Sequence, residues 1–326
     1  MKNLVLKIGT FRPSFVSHAS SSVPHYPEED SKLRATSLVV RRGGNCANSL
    51  EVLQQLLLLD GDGHHVRPHL VSVLPSRSSA ATRRILASMG EGSPVNFSHC
   101  LYRDGYDEPA ASYIIRSQAS TSRTIVNHSD LPEMTTDEFD AVISAVADAE
   151  DDSWWHFEGR IPDTTLACIR LLRARLPTAR VSVEVEKPGR QGLVELAAAA
   201  DVVFYSRTWA ESRGHESAEA CLTGEHRREE SLGLCTWGAD GAAAMSQPFG
   251  KCLRFPVQHR PSGIPVVDTI GAGDTFLAGV LYGLFCRQKR WDVSQTVRFA
   301  VDLATLKVQR EGFAGLGTDA LAADVS

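Results

Sequence analysis

The chain has 326 residues, of which 43% are hydrophobic and 22% charged, and a formal net charge of −5. This is ordinary globular composition with length enough for a large core, and the slight acidity argues against a general nucleic-acid or membrane-surface binder. No apolar run approaches the roughly 20 residues that cross a bilayer, and the seven cysteines show no C-x-x-C spacing, so a soluble cytoplasmic protein with free thiols is expected.

Strands are predicted at residues 4–8, 69–74, 112–116, 154–158, 180–185 and 202–205, where short runs are rich in Val, Ile, Leu and aromatic residues. Helices are predicted at 48–59, 80–89, 163–175, 191–200, 275–285 and 293–308. Strand followed by helix, repeated, points to an α/β fold with a mostly parallel sheet. Residues 232–257 differ: two strand-like runs flank Gly238-Ala239-Asp240-Gly241, a hairpin signal. "SHASSS" at 17–22 and "RPSGIP" at 260–265 have loop composition. Residues 28–40 and 110–127 alternate weakly and suit a small accessory sheet, and no linker divides the chain.

The stretch "VVDTIGAGDTFLAGVL", residues 266–281, places glycines at the start of an apolar helix. Such a helix start offers unpaired N–H groups and the positive end of a dipole, which suit an anion. Asp274 sits in the same turn. By glycine spacing alone, a plain helix start capped by Asp274 fits at least as well. If the site transfers a phosphoryl group to a hydroxyl, both features are needed: the N–H groups steady the moving charge, and the carboxylate accepts the hydroxyl proton.

A second stretch, "RRGGNCANSLEVLQQLLLL" at 41–59, places Asn45 and Asn48 at the mouth of a helix. Amides donate and accept, which suits a polyhydroxy ligand; helix capping explains them equally.

Taken together, Gly-Gly-Asn…Asn near the start and Asp-Thr-x-Gly-Ala-Gly-Asp near the end resemble the two signatures of ribokinase-like (PfkB-type) carbohydrate kinases. "PHYPEEDSKLRA" (24–35), "SRTIVNHSDLPE" (122–133), "HFEGR" (156–160), "VSVEVEKP" (181–188), "DVVFYS" (201–206) and "SAEACL" (217–222) resemble the ketohexokinase branch of that family, in the same order. The resemblance runs from residue 24 to about 316. It implies a three-layer α/β/α core with a small β-sheet lid, one domain over 1–326 with lid segments near 28–40 and 110–127, and a homodimer joined through the lids. It implies ATP-dependent phosphorylation of a ketose, D-fructose to fructose 1-phosphate, with sugar and ATP as partners.

Residue by residue, the resemblance makes Asp274 the base and Gly271, Ala272 and Gly273 the anion hole, with Gly271 and Gly273 also against ATP. Gly44, Asn45 and Asn48 match the sugar-binding loop, and Arg123 matches a basic residue reaching for nucleotide phosphates. Gly238, Ala239, Asp240 and Gly241 match a turn beside the nucleotide. Glu184, Glu186 and Lys187 match a polar patch serving Mg2+ through water. Asp268 and Thr269 lie where relatives hold a monovalent cation through carbonyls, which implies K+.

The pattern breaks near the start. Relatives carry an aspartate soon after the first strand to grip sugar hydroxyls, but no Asp or Glu precedes Glu28 here. A mis-joined segment over 9–22, a true divergence in sugar choice, and a non-catalytic sensor of sugar or nucleotide all fit that departure. Another ribokinase-like kinase, for ribose, adenosine or a different ketose, is the rival enzyme. Elsewhere Trp154, Trp155, Cys235 and His156 read as core residues, and the charge run "GEHRREES" (224–231) as a solvated helix end.

Overall fold

The computed structural model describes residues 4–9, 16–60, 66–120, 122–146, 152–246, 250–258 and 263–324. In chain order come β1 (Leu4–Gly9), β2 (Val16–Val23), β3 (Ser37–Gly43), α1 (Asn45–Leu59), β4 (Val66–Val71), β5 (Val73–Pro75), α2 (Ala80–Ala87) and β6 (Leu101–Arg103). Then follow β7 (Ala111–Ser117), β8 (Arg123–His128), α3 (Thr136–Ser144), β9 (Asp152–Glu158), α4 (Pro162–Arg175), β10 (Arg180–Val185), α5 (Leu193–Ala199) and β11 (Val202–Tyr205). The chain closes with α6 (Arg207–Ser212), α7 (Ala218–Gly224), β12 (Leu232–Thr236), β13 (Ala242–Ser246), β14 (Leu253–Phe255), α8 (Ala272–Leu281), α9 (Val293–Val308) and α10 (Leu316–Asp324).

The large sheet has the spatial order β14-β13-β12-β11-β10-β9-β1-β4. It is parallel from β4 to β12, and β13 and β14 return antiparallel. Side chains alternate across a strand, so adjacent residues of β9 enter different cores. Trp154 packs edge-on to Phe285 with the α1, α8 and α9 residues, while Trp155 meets Phe139 from α3 with the α4 and α5 residues. Helices thus cover both faces, giving three layers.

The second sheet, β3-β2-β7-β8, stands apart as four strands. The loop composition of residues 17–22 is overruled here: β2 pairs antiparallel with β3 and parallel with β7. Hydrogen bonds on both edges stabilise a serine-rich strand that has little hydrophobic alternation of its own. Within 28–40 only the end is strand, because β3 begins at Ser37. On one face Val40, Ala19, Tyr113 and Val126 fall in register across the four strands. Val40, Tyr113 and Val126 are exposed there, as is neighbouring Leu38.

Three expectations shift in detail. Residues 69–74 divide between β4 and β5. The helix expected at 275–285 begins at Ala272 and widens into a π turn over Tyr282–Cys286. The charged run 224–231 is not simply solvated: Glu225 is buried and accepts bonds from Arg213 and His215, and buried Arg227 donates to the Leu222 carbonyl. Of 260–265, residues 260–262 lie outside the described residues, and the rest is irregular.

Candidate active site

Open parallel sheets place their clefts at the carboxyl ends of the strands. Here a cleft of about 770 Å³ opens there, walled by Glu184 of β10, Tyr205 of β11, Thr236 of β12 and the starts of α1 and α8, with β7 and β8 above it. A smaller cavity of about 400 Å³ lies between β2, β3 and the core, and Asn48 lines both.

The sequence predicts that α1 begins at Asn48, but it begins at Asn45, with Gly44 as N-cap at φ 105° and no side-chain cap. Neither asparagine serves as a cap, because both side chains point into the cleft. The Asn48 amide donates to Asp274 Oδ2 at 2.7 Å. The Asn45 amide donates to Glu184 at 3.1 Å and Glu186 at 3.4 Å. Positions three apart share a helix face, so one helix end serves both groups of carboxylates.

At α8 the N-cap is Gly271 at φ 81°, again with no side-chain cap. An added Cβ at Gly271 would lie 2.4 Å from the Phe313 ring, so only glycine fits this left-handed turn. Ala272, Gly273 and Asp274 form the first helical turn, and Gly271, Gly273 and Asp274 line the cleft. Their N–H groups include the ones an α-helix leaves unpaired at its start. The Asp274 side chain is therefore turned toward Asn48 and away from capping duty.

Four carboxylates gather here, Asp274, Glu184, Glu186 and Glu158, of which Glu158 pairs with Arg160 and Glu186 with Lys187. Burial, then Glu184, raise Asp274 well above the usual carboxylate range, while the Asn48 bond works to lower it. Burial, then Glu158 and Glu186, push Glu184 up to about 8. Glu158 escapes this: burial opposes its ionisation, but Arg160 and the Cys46 N–H hold it below its usual value. His156, which burial pushes down to about 3, is neutral and bonds Ser182 at 2.9 Å and Glu184 at 3.1 Å. It supports Glu184 from inside the core.

Glu186 pairs with Lys187 at 2.8 Å, and Glu184, Glu186 and Lys187 all line the cleft. A divalent cation fits this crowd of carboxylates, because it would supply the charge that Glu184 lacks. Among the described residues no group of three or more His, Cys, Asp or Glu is placed to hold a metal ion directly.

Arg123 of β8 lines the cleft from above. Gly238, Ala239 and Asp240 form an exposed turn after Thr236, with Gly241 closing it; Thr236 lines the cleft and the turn does not. Thr269 lines the larger cavity and Asp268 the smaller. Glu158, Arg160 and Arg42 carry roles that residue-by-residue reading missed. Arg42 of β3 donates to Glu51 and to Asn48 at 3.3 Å. Burial pushes it down to about 10, with Asp274 opposing. The available signal was charge at the ends of apolar runs, as in "WWHFE".

The pfkB family carbohydrate kinase model matches residues 3–318. Mouse (Mus musculus) ketohexokinase is 30% identical over 310 residues, spanning 90% of this chain and 93% of that protein. The fold is similar to ribokinase from Giardia lamblia, with TM-score 0.75, 14% identity and full coverage of both chains. It is likewise similar to Arabidopsis thaliana ribokinase complexed with ribose and ATP, with TM-score 0.74, 18% identity and coverage of 99% and 98%.

Proposed function

The chain belongs to the pfkB family of carbohydrate kinases, and from that footing we propose that it transfers the γ-phosphoryl of ATP to a ketose, D-fructose yielding fructose 1-phosphate and ADP. The observation that carries the chemistry is Asp274, raised in pKa, hydrogen-bonded to Asn48 and set in the first turn of a helix whose starting residues Gly271, Gly273 and Asp274 line the cleft. The likeness to mouse ketohexokinase supports the ketose.

The sugar sits where the two cavities meet, at Asn48, with Asn45 beside it. The triphosphate runs along the larger cleft towards Arg123 and Thr236, with the Gly238–Asp240 turn beyond. As the sugar oxygen attacks phosphorus, its O–H proton passes to Asp274, the new O–P bond forms, and the bond to the bridging oxygen breaks with its electron pair leaving on ADP. Backbone N–H groups of the turn over residues 271–274 hold the charge on the transferring oxygens. Glu184 and Glu186 would hold Mg2+ nearby, and the ion would supply positive charge to the phosphates. The initial repulsion between Asp274 and phosphate is relieved because Asp274 becomes neutral as the phosphoryl arrives.

A single kinase domain spans 1–326, its lid formed by β2, β3, β7 and β8. The exposed row of Val40, Tyr113 and Val126 supports lid-to-lid pairing of two copies. A cytoplasmic location fits seven unbridged cysteines.

A binding protein without turnover is the second reading, favoured only by the absence of an acid before Glu28. A lost contact to sugar hydroxyls costs about 1–3 kcal/mol, which raises KM and leaves the base in place. The test is ADP release with ATP, Mg2+ and a sugar panel. It is run on this chain and on a variant whose residues 9–22 are replaced by a relative's segment bearing the aspartate. Fructose turnover by this chain supports the kinase. Turnover by the repaired variant alone marks 9–22 as a damaged segment. Silence from both, folded and binding ATP, favours the sensor.

A further inference from the structure

Lys307 lies in the last turn of α9 with none of its surface exposed. Its ammonium donates to three oxygens: the Asp268 carbonyl at 2.9 Å, Asp268 Oδ2 at 3.3 Å and the Arg310 carbonyl at 3.4 Å. An ammonium has three N–H donors, and all three are used. The Phe313 ring centroid lies 5.5 Å from Nζ, and the same ring walls Gly271.

Carbonyls and a carboxylate are the oxygens that replace a monovalent cation's hydration shell. The family resemblance implies K+ at Asp268 and Thr269, but the donor set does not fit a second cation. The Asp268 carbonyl and Oδ2 are engaged by Lys307, and Oδ1 accepts the Ile270 N–H at 3.0 Å. An ion placed on those oxygens would crowd the ammonium, two positive charges sharing one carboxylate.

We infer that Lys307 is a built-in cation and a positioning residue, and that turnover needs no dissolved monovalent ion. The line of force is short. Lys307 fixes the Asp268 carboxylate, Asp268 fixes Ile270, and the next residue, Gly271, makes the left-handed turn from which α8 and Asp274 start. The backbone reinforces it, with the Val267 and Asp268 N–H groups both donating to the Val308 carbonyl at 2.7 and 3.2 Å. The catalytic half of this inference rests on the kinase reading; the cation half does not.

The test uses the full chain. Initial rates of ADP release are compared in KCl, NaCl and choline chloride at equal ionic strength, with agreement expected to within about twofold. A larger stimulation by KCl overturns the inference. Lys307→Ala and Lys307→Met are then made, with folding checked by circular dichroism. A kcat loss of about tenfold or more is expected with little change in the ATP KM. K+ or NH4+, but not Li+ or choline, should restore part of it in Lys307→Ala and raise that variant's Tm. A folded Lys307→Ala protein showing no ion-specific response overturns the inference, and so does one with unchanged kcat. If neither variant folds, the wild-type salt comparison decides. If no sugar is turned over, the kinase reading fails by that fact, while the Tm response of Lys307→Ala to K+ still decides the cation half.

Discussion

The Asn48 amide donates to Asp274 Oδ2 at 2.7 Å, joining helix starts that lie more than two hundred residues apart in the chain. The bond holds the carboxylate in the cleft and favours its ionised form against the burial and the neighbouring Glu184 that raise it. Asp274→Asn keeps the shape and removes the proposed base. Its kcat should fall about 10²–10⁴-fold, with ATP binding by calorimetry largely kept. A near-normal kcat would remove Asp274 from the proposed role.

Asn48→Ala removes a donor to an ionised group, worth about 1.5–3 kcal/mol. As the proposed base, Asp274 must be deprotonated to act, so activity should be lost as pH falls through its raised pKa. The acid limb of kcat/KM should lie above the ordinary carboxylate value of about 4, and Asn48→Ala should move it higher still. A limb that stays in place would show that Asn48 contacts only the sugar.

Glu184 raises a stability question. Its folded value is about 8 against 4.5 normally, so the folded state binds the proton more tightly than the unfolded chain. The contribution of this group to stability is greatest below about pH 4.5 and declines as pH rises to about 8. The Tm of Glu184→Gln should therefore gain on wild type across that window, by a few degrees for every ~1 kcal/mol that wild type loses. Mg2+ should narrow the gap. Parallel curves would place the proton elsewhere.

Gly271→Ala must carry a side chain at φ 81°, with its Cβ 2.4 Å from the Phe313 ring. A loss of about 1–3 kcal/mol in urea unfolding is expected, along with lower kcat from a displaced helix start. Unchanged stability would show that Phe313 yields freely.

Arg123 reaches the cleft from the lid. Arg123→Ala should raise the ATP KM about tenfold, the size of one lost charge-assisted bond, with the sugar KM less affected. Steady-state kinetics in each substrate would separate the two, and an equal rise in both would place Arg123 at the sugar.

Much of the core was legible before folding. Residues 202–205 are apolar on both faces because helices cover both sides of a parallel sheet, and such runs stand out; 154–158 adds two tryptophans and Phe157 but sets His156 and Glu158 on one face. The cap at Asp292 that starts α9 is local chemistry. β2 was not legible, since "VSHASSSV" has little apolar alternation and is held by β3 and β7. Glu225 and Arg227 looked like surface charges because their partners, Arg213, His215 and the Leu222 carbonyl, come from the turns of α6 and α7.

The family, the α/β order and the glycine turn ahead of Asp274 follow from residue types at short spacing and can be read along the chain. What the charges do is set by folding. It turned Asn45 and Asn48 away from capping, crowded Glu184 among carboxylates, and buried Lys307 on the oxygens of Asp268. Burial and the distance between charges set those outcomes, and neither is a property of residues close together in the chain.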